Sequence, residues 1–428
     1  MKPFQLALCV ILAVPSLITG ARAQSPLDAS SESPALGLRE LVESNTAFAL
    51  DLHQALASDG NLVFSPFGLS ESLAICLDGA RGETAVQMAK ALRLPAKGAG
   101  VTEAYAKLLR RQKRLSNSDT FDFEMGTSLW SQKNGRFQFL ESWVERIRSA
   151  YQAETFEIDL KGPSAESTIT EWVHAGTRGK GVFPSEVLDD PHLQALLVNT
   201  LYLKADWSTP FREAATTDRP FHVSEDDVID VSTMSMTGQF RYRDSDDSRM
   251  LELVYRGGEA SMIIILPKIG ADETIGNLEA LARVEAGLTA SDLMSISKDM
   301  ATRRVRLKLP RFTVDSRLGV IETMRSLGMK DVFTPDADLS GMTGSDDLKI
   351  NDILQNARID VNEAGTEAVA VTVVSFGTRG KRQPDEEPLE FTVDRPFLFL
   401  VRENVTGSVL FMGRVVRPEY EVPEDVDE

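Results

Sequence analysis

Between Val361 and Thr372 the chain reads Val-Asn-Glu-Ala-Gly-Thr-Glu-Ala-Val-Ala-Val-Thr, and Val373-Val374-Ser375-Phe376-Gly377-Thr378-Arg379 follows without a proline. Small and β-branched residues give this run the grammar of a strand, yet turn residues open it and a basic cluster closes it, as in a loop. Thr366, Ala368, Ala370 and Thr372 recur at period two, so one face is small enough to enter a tight slot. The alternating Glu367, Val369 and Val371 suit a more open face. Strand chemistry between turn signals reads as a segment able to exist in two places.

A chain of 428 residues, 42% of them hydrophobic, buries a large core. Length alone allows about two or three domains, but no proline- or glycine-rich linker and no internal repeat divides this one, so a single domain over 36–418 is expected. Leu38, Leu41, Val42, Phe48, Ala49 and Leu52 recur at helical spacing. Ser65-Pro66 opens a second helix through Leu77, with proline where no donor is needed. Further helices are expected at 83–92, 102–115, 138–150, 166–176, 273–283 and 317–328. Strands are expected at 122–130, 195–204, 249–256, 260–266, 303–314, 353–362, 389–393, 397–402 and 408–415. Helices crowd the front half and strands the back, which predicts an α+β fold with large mixed β-sheets and a helical bundle in the N-terminal half.

The first 23 residues stand apart. Lys2 precedes an apolar run from Phe4 to Ile18, and Ala21-Arg22-Ala23 offers a small-x-small cleavage site. This reads as a signal peptide over 1–23, so a secreted or periplasmic, extracytoplasmic protein is expected. Losing Lys2 and Arg22 takes the formal charge from −18 to −20. Such acidity argues against nucleic acid and anionic membrane as partners. The segment 419–428 is rich in Asp and Glu and reads as a disordered acidic tail. Cys9 leaves with the leader, so Cys76 remains alone among Leu73, Ala74, Ile75 and Leu77 and is expected to be a buried, inert thiol.

Catalytic constellations are missing from the sequence. There is no G-x-S-x-G, no H-E-x-x-H and no phosphate loop. His53, His174, His192 and His222 lack ligand spacing, so neither a metal nor any other cofactor is expected. Gly176-Thr177-Arg178-Gly179-Lys180-Gly181 is superficially like a phosphate cradle but has the wrong spacing. Asn404-Val405-Thr406 matches a glycosylation sequon, although with Gly407 it reads more economically as a tight hairpin.

A series of motifs, each weak alone, carries a resemblance in its order. Asn61-Leu62-Val63-Phe64-Ser65-Pro66 precedes Gly79-Ala80-Arg81-Gly82-Glu83-Thr84, and Trp172-Val173 precedes Thr177-Arg178-Gly179-Lys180. Asn199-Thr200-Leu201-Tyr202-Leu203-Lys204-Ala205-Asp206-Trp207 comes next. Pro310-Arg311-Phe312, Leu327-Gly328-Met329, Asp338-Leu339-Ser340-Gly341, Arg395-Pro396-Phe397 and Phe411-Met412-Gly413-Arg414-Val415 complete the set. Over about 36–418 the chain resembles the serpin family of protease inhibitors, in its inhibitory type.

That resemblance implies a single-domain serpin-like fold with an exposed reactive-centre loop, no enzyme activity, and inhibition by a suicide mechanism. A protease attacks the loop, and the cut loop inserts as a new strand before the acyl-enzyme hydrolyses. About 14 inserted residues gaining two ladders, at roughly 0.5–1.5 kcal/mol per hydrogen bond, release on the order of 10–30 kcal/mol before ordering entropy is subtracted. The uncut state is then held by a kinetic barrier. The resemblance makes Glu363, Gly365, Thr366, Glu367, Ala368 and Ala370 the loop hinge. Sixteen residues after Glu363 stands Arg379, which makes Arg379-Gly380 the expected scissile bond and a trypsin-like serine protease the expected partner. Arg382 is an alternative scissile residue, because Arg379-Gly380-Lys381-Arg382 also reads as a dibasic site, suited to a dibasic-specific or a cysteine protease. Ser65, Asn199 and Gln355 match the family's shutter beneath the sheet, and Trp207 its breach at the top. Two shutter positions depart: Gly68 stands where serine is usual and Gln355 where histidine is common. The molecule is expected to act as a monomer. The rival expectation is a non-inhibitory member of the same fold, a carrier, chaperone or storage protein that proteases cut as a plain substrate.

Overall fold

The computed structural model describes residues 36–56, 59–95, 100–115, 121–135, 138–179, 181–269, 276–345, 348–366 and 387–420. The leader at 1–23, the end of the acidic tail, and Glu367, Ala368, Ala370, Arg379, Gly380 and Arg382 lie outside the described residues.

The helices, in chain order, are α1 (Leu38–Leu56), α2 (Pro66–Gly79), α3 (Gly82–Ala91), α4 (Val101–Leu115), α5 (Glu141–Ala150), α6 (Ala165–Thr177), α7 (Asn277–Gly287), α8 (Ala290–Asp299), α9 (Ile321–Ser326) and α10 (Ser340–Thr343). The strands begin with β1 (Leu62–Phe64), β2 (Phe121–Gln132), β3 (Glu154–Ile158), β4 (Ala195–Asp206), β5 (Thr217–His222), β6 (Val228–Asp244), β7 (Ser248–Val254) and β8 (Ala260–Pro267). They continue with β9 (Ala301–Pro310), β10 (Phe312–Gly319), β11 (Leu354–Val361), β12 (Gly365–Thr366), β13 (Leu389–Thr392), β14 (Phe397–Glu403) and β15 (Val409–Val415).

One sheet runs β1-β15-β14-β8-β7-β6-β9-β13, with β5 also paired to β6. Its central strands β8, β14 and β15 are buried along their whole length, which is why they read as unbroken apolar runs and not as alternating ones. The other sheet runs β10-β11-β12-β4-β2-β3. It is antiparallel except where β2 and β3 run parallel. Helix α2 lies between the two sheets, packing on β15 and on β4. Its long apolar stretch, Leu73, Ala74 and Ile75, is buried there.

Several expectations are corrected. The strand expected over 303–314 is two strands, since Pro310 ends β9 in one sheet and Phe312 begins β10 in the other. Proline offers no N–H to continue a ladder, so the chain changes sheet there. Residues 317–319, expected to be helical, belong to β10 and pair with Asn356, Gln355 and Leu354. The 17-residue strand β6, the strands β1, β3 and β5, and helix α8 were not anticipated. Glu419 and Tyr420, placed in the disordered tail by sequence, are docked: the Thr313 N–H donates to the Glu419 carbonyl at 2.6 Å.

Candidate functional site

The site is a slot between β4 and β11. β4 pairs with β2 along Ala195–Ala205 on one side, and β11 pairs with β10 along Leu354–Val361. On their facing sides, among the described residues, the only strand between them is β12, which pairs Gly365 with Asp206, and Thr366 with both Ala205 and Val361. Below Thr366 the two strand edges confront each other with no ladder between them among the described residues, a template for a further strand. The cleft there has a volume of about 670 Å³ and is lined by Leu197, Asn199 and Leu201 from one bank and Gln355, Ala357 and Ile359 from the other.

The head of the slot is held by many contacts. Residues Asn362 to Gly365 form a tight turn in which the Asn362 N–H donates to the Gly365 carbonyl at 3.0 Å and Ala364 N–H donates to Asn362 Oδ1 at 3.0 Å. Gly365 is needed for closeness and not for an unusual backbone angle: a Cβ there would overlap the Ala205 carbonyl and the Asp206 Cα of β4. Thr366 is 2% exposed, and its hydroxyl is hydrogen-bonded to the Tyr255 phenol at 2.7 Å. Burial pushes that phenol up, so it stays neutral. Trp207 stacks on Tyr255 with ring centres 4.6 Å apart and planes 7° from parallel. Its indole N–H donates to the Asn362 carbonyl at 2.9 Å, and its backbone N–H to the Ala364 carbonyl at 2.8 Å. Arg311 grips the buried Glu363 carboxylate from Nη2 at 2.7 Å and from Nε at 2.9 Å. Thr216 donates to the same carboxylate. The Tyr420 ring covers the Arg311 guanidinium at 5.3 Å, and its hydroxyl accepts from Asn362 Nδ2 at 3.4 Å.

Midway down, both banks are moored to α2. On the β11 side Gln355 spans the backbone of Ser65, accepting from its N–H at 2.9 Å and donating to its carbonyl at 3.0 Å. Ser65 is the N-cap of α2, and its hydroxyl accepts from Gly68 N–H at 3.1 Å. On the β4 side Asn199 Nδ2 donates to Thr127 Oγ1 at 3.0 Å and reaches the Glu71 carboxyl at 3.4 Å. Gly68 makes room for this, because a Cβ at 68 would overlap Asn199 Oδ1. The two departures noted in the sequence thus have structural consequences: glutamine bridges by two bonds, and glycine admits the Asn199 amide.

The structure brings together Ser65, Asn199 and Gln355 around one helix, and Trp207, Glu363, Gly365 and Thr366 at the head. Sequence reasoning missed Glu71, Thr127, Tyr255, Arg311 as a functional partner, and Tyr420. Glu71 had a signal, an acidic residue inside an apolar helix run; the others became visible only in space. Cys76 is partly buried beside the cleft, and desolvation pushes its thiol up to about 12, as expected of an inert thiol. His53 is buried and bonded to Glu285 at 3.0 Å, a structural role. Of the glycine-rich 176–181 segment, the described residues 176–179 close the C-terminal end of α6, with Arg178 left-handed at φ 52° and paired to Glu124. That is the wrong helix end for phosphate. Asn404 lies in the turn between β14 and β15, its amide bonded to the Gly258 carbonyl at 2.9 Å and to Ser261 Oγ at 2.7 Å.

A family model described as Serpin (serine protease inhibitor) matches residues 43–418. The chain is 34% identical over 393 residues to leukocyte elastase inhibitor A of Mus musculus, covering 89% of this chain and 100% of that one. It is 33% identical over 386 residues to an uncharacterized serpin-like protein of Thermococcus kodakarensis, covering 89% of this chain and 86% of that one. The crystal structure of mouse protein-Z dependent protease inhibitor superposes with a TM-score of 0.74 at 26% identity, covering 89% of this chain and 99% of that chain.

Proposed function

The chain belongs to the serpin family, and from that premise we propose that it is a secreted or periplasmic suicide inhibitor of trypsin-like serine proteases, cut at Arg379-Gly380 and acting as a monomer. The observation that supports this reading best is Gly365-Thr366 seated at the head of a slot whose two banks, among the described residues, have no ladder between them below it. β12 is antiparallel to both neighbours, so its register can be continued one residue at a time. In a loop inserted in that register, 368 would fall opposite Leu203 and Ile359, 370 opposite Leu201 and Ala357, and 372 opposite Asn199 and Gln355. By strand alternation all three would then share the side of Thr366, where small side chains would fit and where a threonine at 372 would meet polar groups.

In the reaction, the protease serine oxygen bonds to the Arg379 carbonyl carbon, the Arg379–Gly380 C–N bond breaks, and the Gly380 amine leaves with the proton. The ester would normally fall to water. Insertion of the freed loop between β4 and β11 carries the protease along before that happens. Arginine at 379 suits an acidic primary pocket through paired hydrogen bonds.

Mixing the protein with trypsin tests the reading. An SDS-resistant complex is expected, with a released C-terminal fragment that begins at Gly380 by mass spectrometry. A fragment beginning at Gln383 would move the scissile bond to Arg382. Cleavage with full protease activity remaining would sink inhibition and leave the substrate reading of this fold.

A further inference from the structure

Glu71 sits in the second turn of α2 with 1% of its surface exposed, an acid inside a helix otherwise committed to the core. Two contacts join it to the sheet, and a third links its two partners. Thr127 Oγ1 of β2 donates to its Oε1 at 3.0 Å, Asn199 Nδ2 of β4 lies 3.4 Å from its Oε2, and the same Nδ2 donates to Thr127 Oγ1 at 3.0 Å. The triangle ties one bank of the slot to α2, while Gln355 and Ser65 tie the other bank to the same helix. Widening the slot must stretch one of the two ties. Among the described residues Glu71 has no cationic partner, and the titratable groups facing it are Tyr105 of α4 and Tyr151 after α5, phenols that burial keeps neutral.

We propose that Glu71 is a positioning residue for sheet opening: the closed arrangement, which buries its carboxyl against β2 and β4, favours the neutral acid, so loss of its proton favours the opened bank and speeds entry of the loop. The proposal rests on the insertion reading above for its functional meaning. Both hydrogen bonds favour the carboxylate, but burial opposes it and wins, pushing the group up to about 8 from 4.5. An opened slot admits water and relaxes that penalty. A carboxyl raised in the closed state gives that state its full advantage below about 4.5, and the advantage is lost as pH rises towards about 8. Opening should therefore become easier up to about pH 8 and level off above it.

Hydrogen exchange of the Ala195–Lys204 peptide, corrected for intrinsic rates and normalised to α7, reads the opening directly between pH 6 and pH 9. In the unmodified protein protection should fall at least tenfold across that range, whereas in Glu71→Gln, which cannot ionise, it should stay flat. Parallel profiles in the two proteins would overturn the proposal. Thr127→Val provides a second arm, needed if Glu71→Gln fails to fold: removing a donor that favours the carboxylate should move the midpoint to higher pH, and an unmoved midpoint counts against the link. The stoichiometry of trypsin inhibition, taken as the ratio of variant to unmodified protein, cancels the protease's own pH dependence and should drift with pH. Proton-linked exchange without any SDS-resistant complex would retire the inhibitor reading and keep the switch; a complex with pH-independent exchange in both proteins would do the reverse.

Discussion

The head of the slot and its middle are built from different chemistry. At the head, an ion pair between Arg311 and Glu363, a Trp207–Tyr255 stack and a tight turn hold β12 in place. In the middle, side-chain hydrogen bonds tie each bank to α2, and nothing among the described residues ties bank to bank. A charged, overdetermined clamp fixes where a strand would start, while a sparse polar mooring decides whether there is room for it to continue. The difference teaches that seating the first residue and admitting the rest are separate tasks, exposed to different mutations.

The largest effect should come from the seat itself. Thr366→Arg places an unpaired guanidinium against the Tyr255 phenol, a burial cost that the insertion route cannot absorb. Complex formation with trypsin should vanish and simple cleavage take its place; an unchanged inhibition stoichiometry would show that the head does not gate entry. Next, Glu363→Ala removes the clamp's buried partner and should lower native stability by about 2–3 kcal/mol, since Arg311 keeps some access to water. Gln355→Leu leaves the Ser65 N–H and carbonyl without their bridge and should cost about 1–2 kcal/mol, less than the clamp but with faster exchange along Ala195–Lys204. Denaturant midpoints check both, and a larger loss for Gln355→Leu would invert the contrast. The smallest effect belongs to Tyr420→Ala, which uncovers Arg311 and should cost about 0.5–1 kcal/mol in the same assay. A loss of several kcal/mol there would make the C-terminal segment part of the clamp.

Much of the fold was legible where pattern and burial agree. α1 and α2 follow from helical spacing and a proline start, and β8, β14 and β15 from apolar runs that both faces of a layered core demand. The misses have identifiable causes. β6 carries Ser232, Thr233, Ser235 and Thr237 on a half-exposed course, so its hydrophobic signal is thin. α8 was announced by the Thr289–Asp292 capping box, a readable signal that went unread. The end of β10 was misread as helix because Leu318 and Ile321 have helical spacing, although the pairing with β11 holds 317–319 extended.

What the sequence determined by itself was the segment from Val361 onward: its small residues at period two, its glycine, and its basic end are chemical facts that survive any packing. What only the tertiary structure decided was the receiver. The slot exists because, among the described residues, β4 pairs with β2 and β11 with β10 on their outer sides while only β12 joins them at the head, and pairing between residues 35 to 84 positions apart leaves no local trace. Gly365 shows the division at one position. Its presence was legible, but its reason, the backbone of β4 passing too close for a Cβ, belongs to the assembled sheet.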